Sequence, residues 1–346
     1  MTGKIRLVLV AILILSMALC FAGCGKTSYE EIGQKVFLDE DCVSGLMYSD
    51  GATMLTSFGK ATKSGKSMKT RGFATYDLKS GDITNVASIV SSYKVTSAVP
   101  EEDGIVYVAY TKDENKVIKW NVIELKSGTD NYVLSGECKS TSELPALHRF
   151  NDGVAVVWKD RASDIAGLSM ISGGNADRLV TDSASHIVNT ISCANEKYAA
   201  IYTKDDDKNR HISISDTDGV LKRVPIDGKL REVAITQNNV IAVIRQGNEP
   251  ARYKLFNYNI SEDTAEYTEL TAALYDLSGG DGDAVICHDL DGRVYMIDAK
   301  KNTVKAIDQP ENTDGAAIAF GKIVKNKVVS AFTKDGVCTF YMIDIK

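Results

Sequence analysis

The feature that most constrains this chain is a repeat of short, apolar, β-type runs at an interval of about 45 residues. The phrase Thr-Lys-Asp ends three of these runs, and Trp158-Lys159-Asp160 is a shortened form of it. The aspartates Asp113, Asp160 and Asp205 lie 47 and 45 residues apart. A unit of this size cannot bury its own hydrophobic face, so neighbouring units must stack. The spacing therefore predicts similar units packed side by side.

The runs are rich in Val, Ile and Tyr and are separated by Gly, Asn and Asp turns, which is typical of an all-β chain. One series of expected strands comprises Gly104–Tyr110, Gly153–Trp158, Tyr198–Tyr202, Val240–Ile244, Ala284–Cys287 and Val328–Phe332. A second series follows it after polar turns and comprises Phe73–Leu78, Trp120–Leu125, Leu168–Ile171, Ile212–Ser215, Leu255–Tyr258, Val294–Ala299 and Phe340–Ile345. Hairpin turns such as Asp216–Gly219 then lead into a further strand.

Four strands in each repeat of about 40 to 50 residues indicate a β-propeller, in which each repeat is one blade. The interval from Asp77 to Asp344 holds 267 residues and six repeats, which predicts seven blades. The last repeat ends without an outermost strand, and we expect Gln34–Leu38 to supply it and close the ring. Residues 33–346 thus resemble the broad seven-bladed class that includes WD40-like and YVTN-like propellers. The resemblance is architectural, because the motifs of those families are absent; six or eight blades, or paired β-sandwiches, stay open.

The amino-terminal segment has the features of an export signal. Lys4 and Arg6 precede the apolar run Leu7–Leu19, and Phe21-Ala22-Gly23-Cys24 follows. This end resembles the lipobox of bacterial lipoproteins. The resemblance implies a signal peptide at 1–23, diacylglycerol on Cys24, a lipidated tether at 24–32, and attachment to the cell membrane on its extracytoplasmic face. An uncleaved membrane helix and a plain cleaved signal peptide are the alternatives.

The charge balance argues against polyanionic partners. Without Lys4 and Arg6, 38 of the 40 basic residues stand against 46 acidic ones, a net charge of −8. DNA and RNA need a concentrated basic surface that releases counterions, and the lysines here are spread among acidic neighbours. We therefore expect no nucleic-acid partner. The densest basic stretch, from Lys60 to Arg71, is expected to be a hairpin loop in the first blade, either solvated or facing anionic lipid.

No residue pattern names a reaction or a cofactor. The four histidines are not at metal-ligand spacing, and the acidic runs Asp205–Asp207 and Gly279–Asp283 do not complete a calcium loop. We read these runs as solvated turns, and Cys287-His288-Asp289 as a strand end running into a turn. The five cysteines beyond Cys24 follow no disulfide framework: Cys42, Cys138, Cys193, Cys287 and Cys338. Cys193 and Cys287 lie inside expected strands, and we interpret these two as small buried hydrophobes.

These observations favour a membrane-anchored, extracytoplasmic β-propeller that acts as a non-catalytic binding or scaffold module for a cell-envelope protein or a small ligand. We predict no catalytic residue, no metal and no cofactor, and Cys24 as the lipidation site. The alternative is an envelope glycan hydrolase whose carboxylates converge at the propeller axis from separate blades. Carboxylates clustered in the channel would favour the hydrolase, whereas an exposed aromatic patch on one face would favour binding.

Overall fold

The computed structural model of the chain describes residues 30–36, 41–49, 52–61, 68–77, 79–80, 82–88, 93–101, 103–247, 250–279, 282–310, 317–324, 327–334 and 337–344. The signal segment 1–23 and Cys24 therefore lie outside the described residues. The described elements are strands and short turns, and none is a helix long and apolar enough to cross a membrane.

The strands follow one another in chain order. The first nine are β1 Glu30–Val36, β2 Asp41–Ser49, β3 Thr53–Ala61, β4 Met68–Asp77, β5 Ile83–Ser88, β6 Lys94–Glu101, β7 Gly104–Lys112, β8 Ile118–Lys126 and β9 Thr129–Cys138. After a 3₁₀ turn at Thr141–Glu143 come β10 Ala146–Phe150, β11 Gly153–Asp160, β12 Ile165–Ser172, β13 Asn175–Ser183, β14 Ile187–Ala194, β15 Ala199–Lys204, β16 Arg210–Asp216, β17 Gly219–Pro225 and β18 Lys229–Ile235. The last ten are β19 Asn239–Gln246, β20 Arg252–Asn259, β21 Thr264–Leu270, β22 Tyr275–Gly279, β23 Ala284–His288, β24 Val294–Asp298, β25 Thr303–Ala306, β26 Ala317–Val324, β27 Lys327–Lys334 and β28 Val337–Asp344.

These strands form seven four-stranded antiparallel sheets. Six sheets consist of four consecutive strands, beginning at β2, β6, β10, β14, β18 and β22, and the seventh has the order β26-β27-β28-β1. The first strand of each sheet contacts the first strand of the next, and β26 contacts β2. The first strands therefore surround a common axis in a closed ring, so the prediction of a seven-bladed β-propeller is confirmed. We number the blades 1 to 7 from the sheet of β2 and call the strands of each blade A to D from the axis outward.

Closure of the ring joins the two ends of the described chain. Strand β1 pairs antiparallel with β28, from Glu30 opposite Met342 to Val36 opposite Val337. The expectation that an amino-terminal strand completes the last blade is therefore confirmed. The strand ends at Val36 rather than at Leu38 and begins at Glu30, so residue 33, expected to start the domain, lies inside it. As a consequence the outer strand of blade 7 has paired backbone groups along its inner edge.

The hydrophobic core lies between the blades. Each buried cluster draws side chains from two neighbouring sheets, such as Tyr202 of blade 4 with Phe256 of blade 5, and Trp120 of blade 2 with Trp158 of blade 3. The closure is packed in the same way, because the rings of Tyr76 in blade 1 and Phe340 in blade 7 stack with centroids 4.4 Å apart. A blade thus buries both faces only when it has two neighbours, as the repeat spacing requires.

Candidate functional site

The strand order gives the ring two different faces. Four antiparallel strands return the chain to the side from which it entered the blade, so every A strand begins on the same side. We call this side the upper face: it carries the connections between blades and the turns between strands B and C. The opposite, lower face carries the A–B and C–D turns. Because β1 serves as the D strand of blade 7, its first residue, Glu30, lies at the lower face.

The repeated aspartate of the Thr-Lys-Asp phrase forms one recurrent turn on the upper face. In blade 2 the side chain of Asp113 accepts a hydrogen bond from the Val117 backbone N–H at 2.9 Å, and Lys116 takes a positive φ of 66°. In two other blades an aspartate side chain likewise accepts a hydrogen bond from the backbone N–H four residues later. Asp205 accepts from Asn209 at 2.8 Å, and Asp289 accepts from Arg293 at 3.0 Å. The phrase is therefore a turn-forming device, in agreement with reading Asp205–Asp207 as a turn.

Blade 3 closes its upper turn with a buried ion cluster. Lys159 is 2% exposed, and its Nζ lies 3.4 Å from Glu143 and donates to the Ile187 carbonyl at 2.8 Å. Arg161 also pairs with Glu143. Burial opposes ionisation of Glu143, but the bond from Arg161 and the nearby cations outweigh it and lower the pKa of that carboxyl to about 2. This part of the upper face is therefore held by a Glu143 carboxylate that stays ionised at all physiological pH values.

The inner strands bulge near the upper face. In six of the seven A strands the register with strand B shifts, while that of β10 is continuous over its described pairing. The extra residues of β6, β18 and β22 include Thr96, Arg231 and Asp276, and all three are exposed. Bulges of this kind re-aim side chains at the rims of closed sheets. They bring polar groups to the upper mouth of the central channel.

A group of three titratable side chains lies at this mouth, between blades 5 and 6. His288, at the end of β23, contacts the carboxylate of Asp276 through Nε2 at 2.7 Å and the Asp289 carbonyl through Nδ1 at 2.8 Å. Glu232 of β18 is the third member: burial and the Asp276 charge raise its pKa to about 7. The bond from His288 lowers the pKa of Asp276, and the same bond raises that of His288. We call these residues the blade 5–6 cluster.

A second histidine joins blades 3 and 4 on the same face. His186, in the connection before β14, contacts Asp182 through Nδ1 at 2.7 Å and Asp206 through Nε2 at 3.0 Å. Asp182 is the next-to-last residue of β13 in blade 3, whereas Asp206 belongs to the upper turn of blade 4. The hydrogen bonds to Asp182 and then to Asp206 raise the pKa of His186. We call these residues the blade 3–4 cluster.

Close to the blade 5–6 cluster the upper face exposes a large apolar side chain. Leu290 occupies the turn after β23 and is 81% exposed. Cys287, one residue before His288, is buried against the next strand, and burial raises the pKa of its thiol to about 12. Cys287 packs into the apolar cluster between blades 5 and 6 at the end of β23, in agreement with reading this stretch as a strand end that runs into a turn.

The lower face is held by a different set of polar contacts. Lys126 lies between Glu124 at 2.8 Å and Glu101 at 3.2 Å, and the Glu124 side chain is only 4% exposed. Burial opposes ionisation of Glu124, but hydrogen bonding to Lys126 outweighs it and lowers the carboxyl pKa. Arg149 donates to the Pro100 carbonyl at 3.2 Å in the same region. The lower face thus carries a charged cluster within blade 2, and the Arg149 bond joins blade 3 to blade 2 beside it.

The remaining predicted residues fall in several places. The Lys60–Arg71 stretch lies at the β3–β4 hairpin of blade 1, with Lys60 opposite Lys69 and with residues 62–67 outside the described part. This hairpin connects strands B and C of its blade and therefore belongs to the upper face, whereas β1 begins at the lower face. Cys193 and Cys287 lie in strands and pack against apolar clusters, as expected, and Cys138 is also buried as a free thiol. Of Cys42 and Cys338 only the strand position is described.

No group of three or more His, Cys, Asp or Glu side chains is placed to hold a metal ion in the described parts of the chain. Sequence reasoning found the turn aspartates but missed Glu232 and the pairing of His288 with Asp276. Chain order hid that pairing, because the two residues belong to different strands and are brought together only by the bulge in β22.

Comparisons with known proteins identify the fold and no closer relationship. The sequence matches no protein-family model, and no curated protein matches it. The crystal structure of BamB from Moraxella catarrhalis is similar, with a TM-score of 0.51 at 8% identity, covering 90% of this chain and 99% of that chain. A chain in the crystal structure of a mitotic checkpoint complex has a TM-score of 0.53 at 10% identity, covering 91% and 93% of the two chains.

The β-propeller domain of the Trilobed protease from Pyrococcus furiosus is also similar, with a TM-score of 0.53 at 11% identity over 72% of this chain and 82% of that one. That domain is described as having an open velcro topology, whereas here β1 completes the last blade. Identities this low show the fold alone. The chain therefore has a β-propeller fold, with seven four-stranded blades.

Proposed function

We propose that this chain is a non-catalytic binding module, held by diacylglycerol on Cys24 at the extracytoplasmic face of a cell membrane, that binds a cell-envelope protein through its upper face. The observation that carries the proposal is Leu290, a leucine 81% exposed in an upper turn, two residues after His288, which contacts the exposed Asp276. An exposed apolar anchor within a polar rim is the usual anatomy of a protein interface.

The topology supports the upper face as the one presented to a partner. Cys24 precedes Glu30 by six residues, and six extended residues reach about 20 Å at most. The first residue of β1 lies at the lower face, so a lipid on Cys24 would join the ring from that side. The upper face would then point away from the attachment. This geometry also argues against the Lys60–Arg71 hairpin as a lipid contact, because the hairpin leaves the upper face.

The similar solved structures support a protein partner as the class of ligand. One of them is a chain within a mitotic checkpoint complex, so at least one propeller of this shape occurs in a protein assembly. The rigid core between blades fits such a role, because it holds the turns of one face in a fixed arrangement.

The anchor is tested by replacing its cysteine. In the bacterial host, Cys24→Ala abolishes incorporation of an alkyne-labelled fatty acid and moves the chain out of the washed membrane fraction. Cys20→Ala, four residues earlier, is the matched control and leaves both unchanged. Membrane retention of Cys24→Ala would favour an uncleaved helix, and retention of the fatty acid would exclude Cys24 as the lipidation site.

The binding face is tested with a photo-crosslinking amino acid placed at position 290 or at position 221 in living cells. Leu221 is the control because it is 52% exposed on the outer strand β17, away from the upper turns. We expect one discrete adduct with an envelope protein from position 290. A probe at position 291 should lose this adduct when the chain also carries Leu290→Asp. Equal adducts from positions 290 and 221 would contradict a dedicated upper face.

The glycan hydrolase remains a second candidate because of the blade 5–6 cluster. Glu232, with its pKa raised to about 7, and Asp276, with a lowered pKa, offer a protonated and an ionised carboxyl group in one place. A hydrolase of this type would lose turnover of isolated envelope glycans in both Glu232→Gln and Asp276→Asn. The binding proposal instead expects no turnover by the unmodified chain, measured as release of reducing ends.

A further inference from the structure

Two histidines of the upper face, His186 and His288, are each held between two hydrogen-bond acceptors. His186 lies between the carboxylates of Asp182 and Asp206, with nitrogen-to-oxygen distances of 2.7 and 3.0 Å. His288 lies between the carboxylate of Asp276 and the carbonyl of Asp289, at 2.7 and 2.8 Å. A carbonyl and an ionised carboxylate accept hydrogen bonds but cannot donate them.

The count of donors fixes the protonation state that this geometry needs. A neutral imidazole carries one N–H and one lone pair, whereas the imidazolium carries two N–H groups. With acceptors at both nitrogens, a neutral ring makes one hydrogen bond and sets its lone pair against the other oxygen. His148 provides the contrast, since its Nε2 lies 2.9 Å from the Ser192 hydroxyl, which can donate or accept.

His186 joins two blades, whereas His288 joins two neighbouring strands of one blade. His186 connects the end of blade 3 with the upper turn of blade 4, and His288 connects the upper turn of blade 6 with the bulge of its inner strand. We propose that the upper face is a pH-responsive surface, in which imidazolium side chains at His186 and His288 fasten these turns and loss of a proton from each ring releases one of its two contacts. This inference requires neither the lipid anchor nor the protein partner.

Several other charged groups act on the two rings. Around His186, Arg223 lies 3.8 Å from Asp182 and weakens that carboxylate's hold on the ring proton, while Asp205 and Asp207 flank Asp206. Around His288, Arg231 flanks Glu232, Tyr275 stacks on the ring with centroids 6.2 Å apart, and Cys287 precedes it. Glu232 ionises near neutrality and then adds a negative charge beside Asp276, which favours retention of the His288 proton.

The direction of the switch follows from the hydrogen bonds to the carboxylates, which raise the pKa of both histidines. The two contacts are complete at acidic pH and are lost as the pH rises through the raised pKa of each ring. Each unit by which a pKa is raised corresponds to about a tenfold preference of the protonated ring for the closed turn.

The first test is nitrogen NMR of the imidazole rings in the full chain, purified in detergent because of its apolar amino-terminal run. We expect both ring nitrogens of His186 and His288 to carry protons at about pH 6 and to titrate above the reference value for histidine. If either ring is a neutral tautomer at that pH, the donor count is wrong for that cluster.

The second test is hydrogen–deuterium exchange of residues 182–209 and 276–293 between about pH 5.5 and 8.5, corrected for the intrinsic rates. From the lower to the higher pH, the corrected exchange rate of the unmodified chain should rise about tenfold for each unit by which the histidine pKa is raised. Asp206→Asn and Asp276→Asn each provide an amide that donates to a neutral ring, so protection becomes independent of pH in the corresponding segment. His186→Gln and His288→Gln lose protection at acidic pH, and His148→Gln leaves both segments unchanged. A pH response that persists in both Asn variants would overturn the proposal.

Discussion

The blade 2 cluster of the lower face and the two histidine clusters of the upper face are held by physically different contacts. On the lower face Lys126 lies between Glu101 and Glu124, and the contact raises the pKa of Lys126 and lowers that of Glu124, so this pair stays charged across the neutral range. On the upper face His186 and His288 lie between acceptors, and each ring makes both of its contacts only when it carries two protons. The difference teaches that one ring can combine contacts of constant charge with contacts that respond to pH.

The largest effect is expected when the closure of the ring is removed, because the contacts of both faces depend on a closed ring. Deleting residues through Val36 removes the outer strand of blade 7 and its pairing with β28. We expect a loss on the order of 5 kcal/mol in the free energy of unfolding, comparable to the whole stability of many domains. Thermal denaturation measures it, with deletion through Tyr29 as the control. Equal stability of the two truncated chains would show that β1 does not close the ring.

The second prediction concerns the lower face. Lys126→Met leaves the buried carboxylate of Glu124 without its cation, and we expect a loss of about 2 kcal/mol, less than for a fully buried pair because Lys126 is partly exposed. Chemical denaturation should give the same loss at about pH 6 and pH 8.5, since both partners keep their charges. Lys119→Met is the matched control: its partner Glu137 is 3.9 Å away and both are exposed. A strong pH dependence would erase the distinction between the faces.

The third prediction sharpens the upper side of the comparison. The folded state raises the pKa of Glu232 to about 7, so this group's stabilising contribution is complete below its unfolded pKa and is lost as the pH rises through about 7. Glu232→Gln removes the cost of ionisation and should stabilise the protein at about pH 8 by roughly 1 to 3 kcal/mol. At about pH 4 the two chains should be nearly equal. Denaturation curves at both pH values check this, and equal curves at the higher one would contradict it.

The smallest effect is expected for His288→Gln. A raised histidine pKa stabilises the folded state below the unfolded pKa and ceases to do so as the pH rises through the folded value. The variant should therefore lose about 1 kcal/mol at about pH 5.5 and almost nothing at pH 8.5. His148→Gln, whose partner is a hydroxyl, should show no such difference between the two pH values. If His288→Gln lost the same free energy of unfolding at both pH values, the upper-face histidine contact would be no more dependent on pH than the lower-face contact of Lys126.

Local sequence determined the strands and many of the turns. The Thr-Lys-Asp phrase could be recognised because its aspartate forms a turn with residues only four positions away. The inner strands were harder to recognise. Asp276 and Arg231 are extra residues in bulges, and a bulge interrupts the alternation by which a strand is identified in a sequence.

By itself, the sequence determined the repeat and the all-β class and predicted the strand that closes the ring, because these follow from spacing and from a missing outer strand at the carboxyl end. It favoured seven blades over six or eight, and the seven sheets of the structure decided the number. Only the tertiary structure decided which groups meet at the upper mouth. Glu232 and Asp276 are 44 residues apart and come from neighbouring blades. Their meeting, and the raised pKa of Glu232, depend on burial and on the register of two bulged strands, which no local pattern encodes.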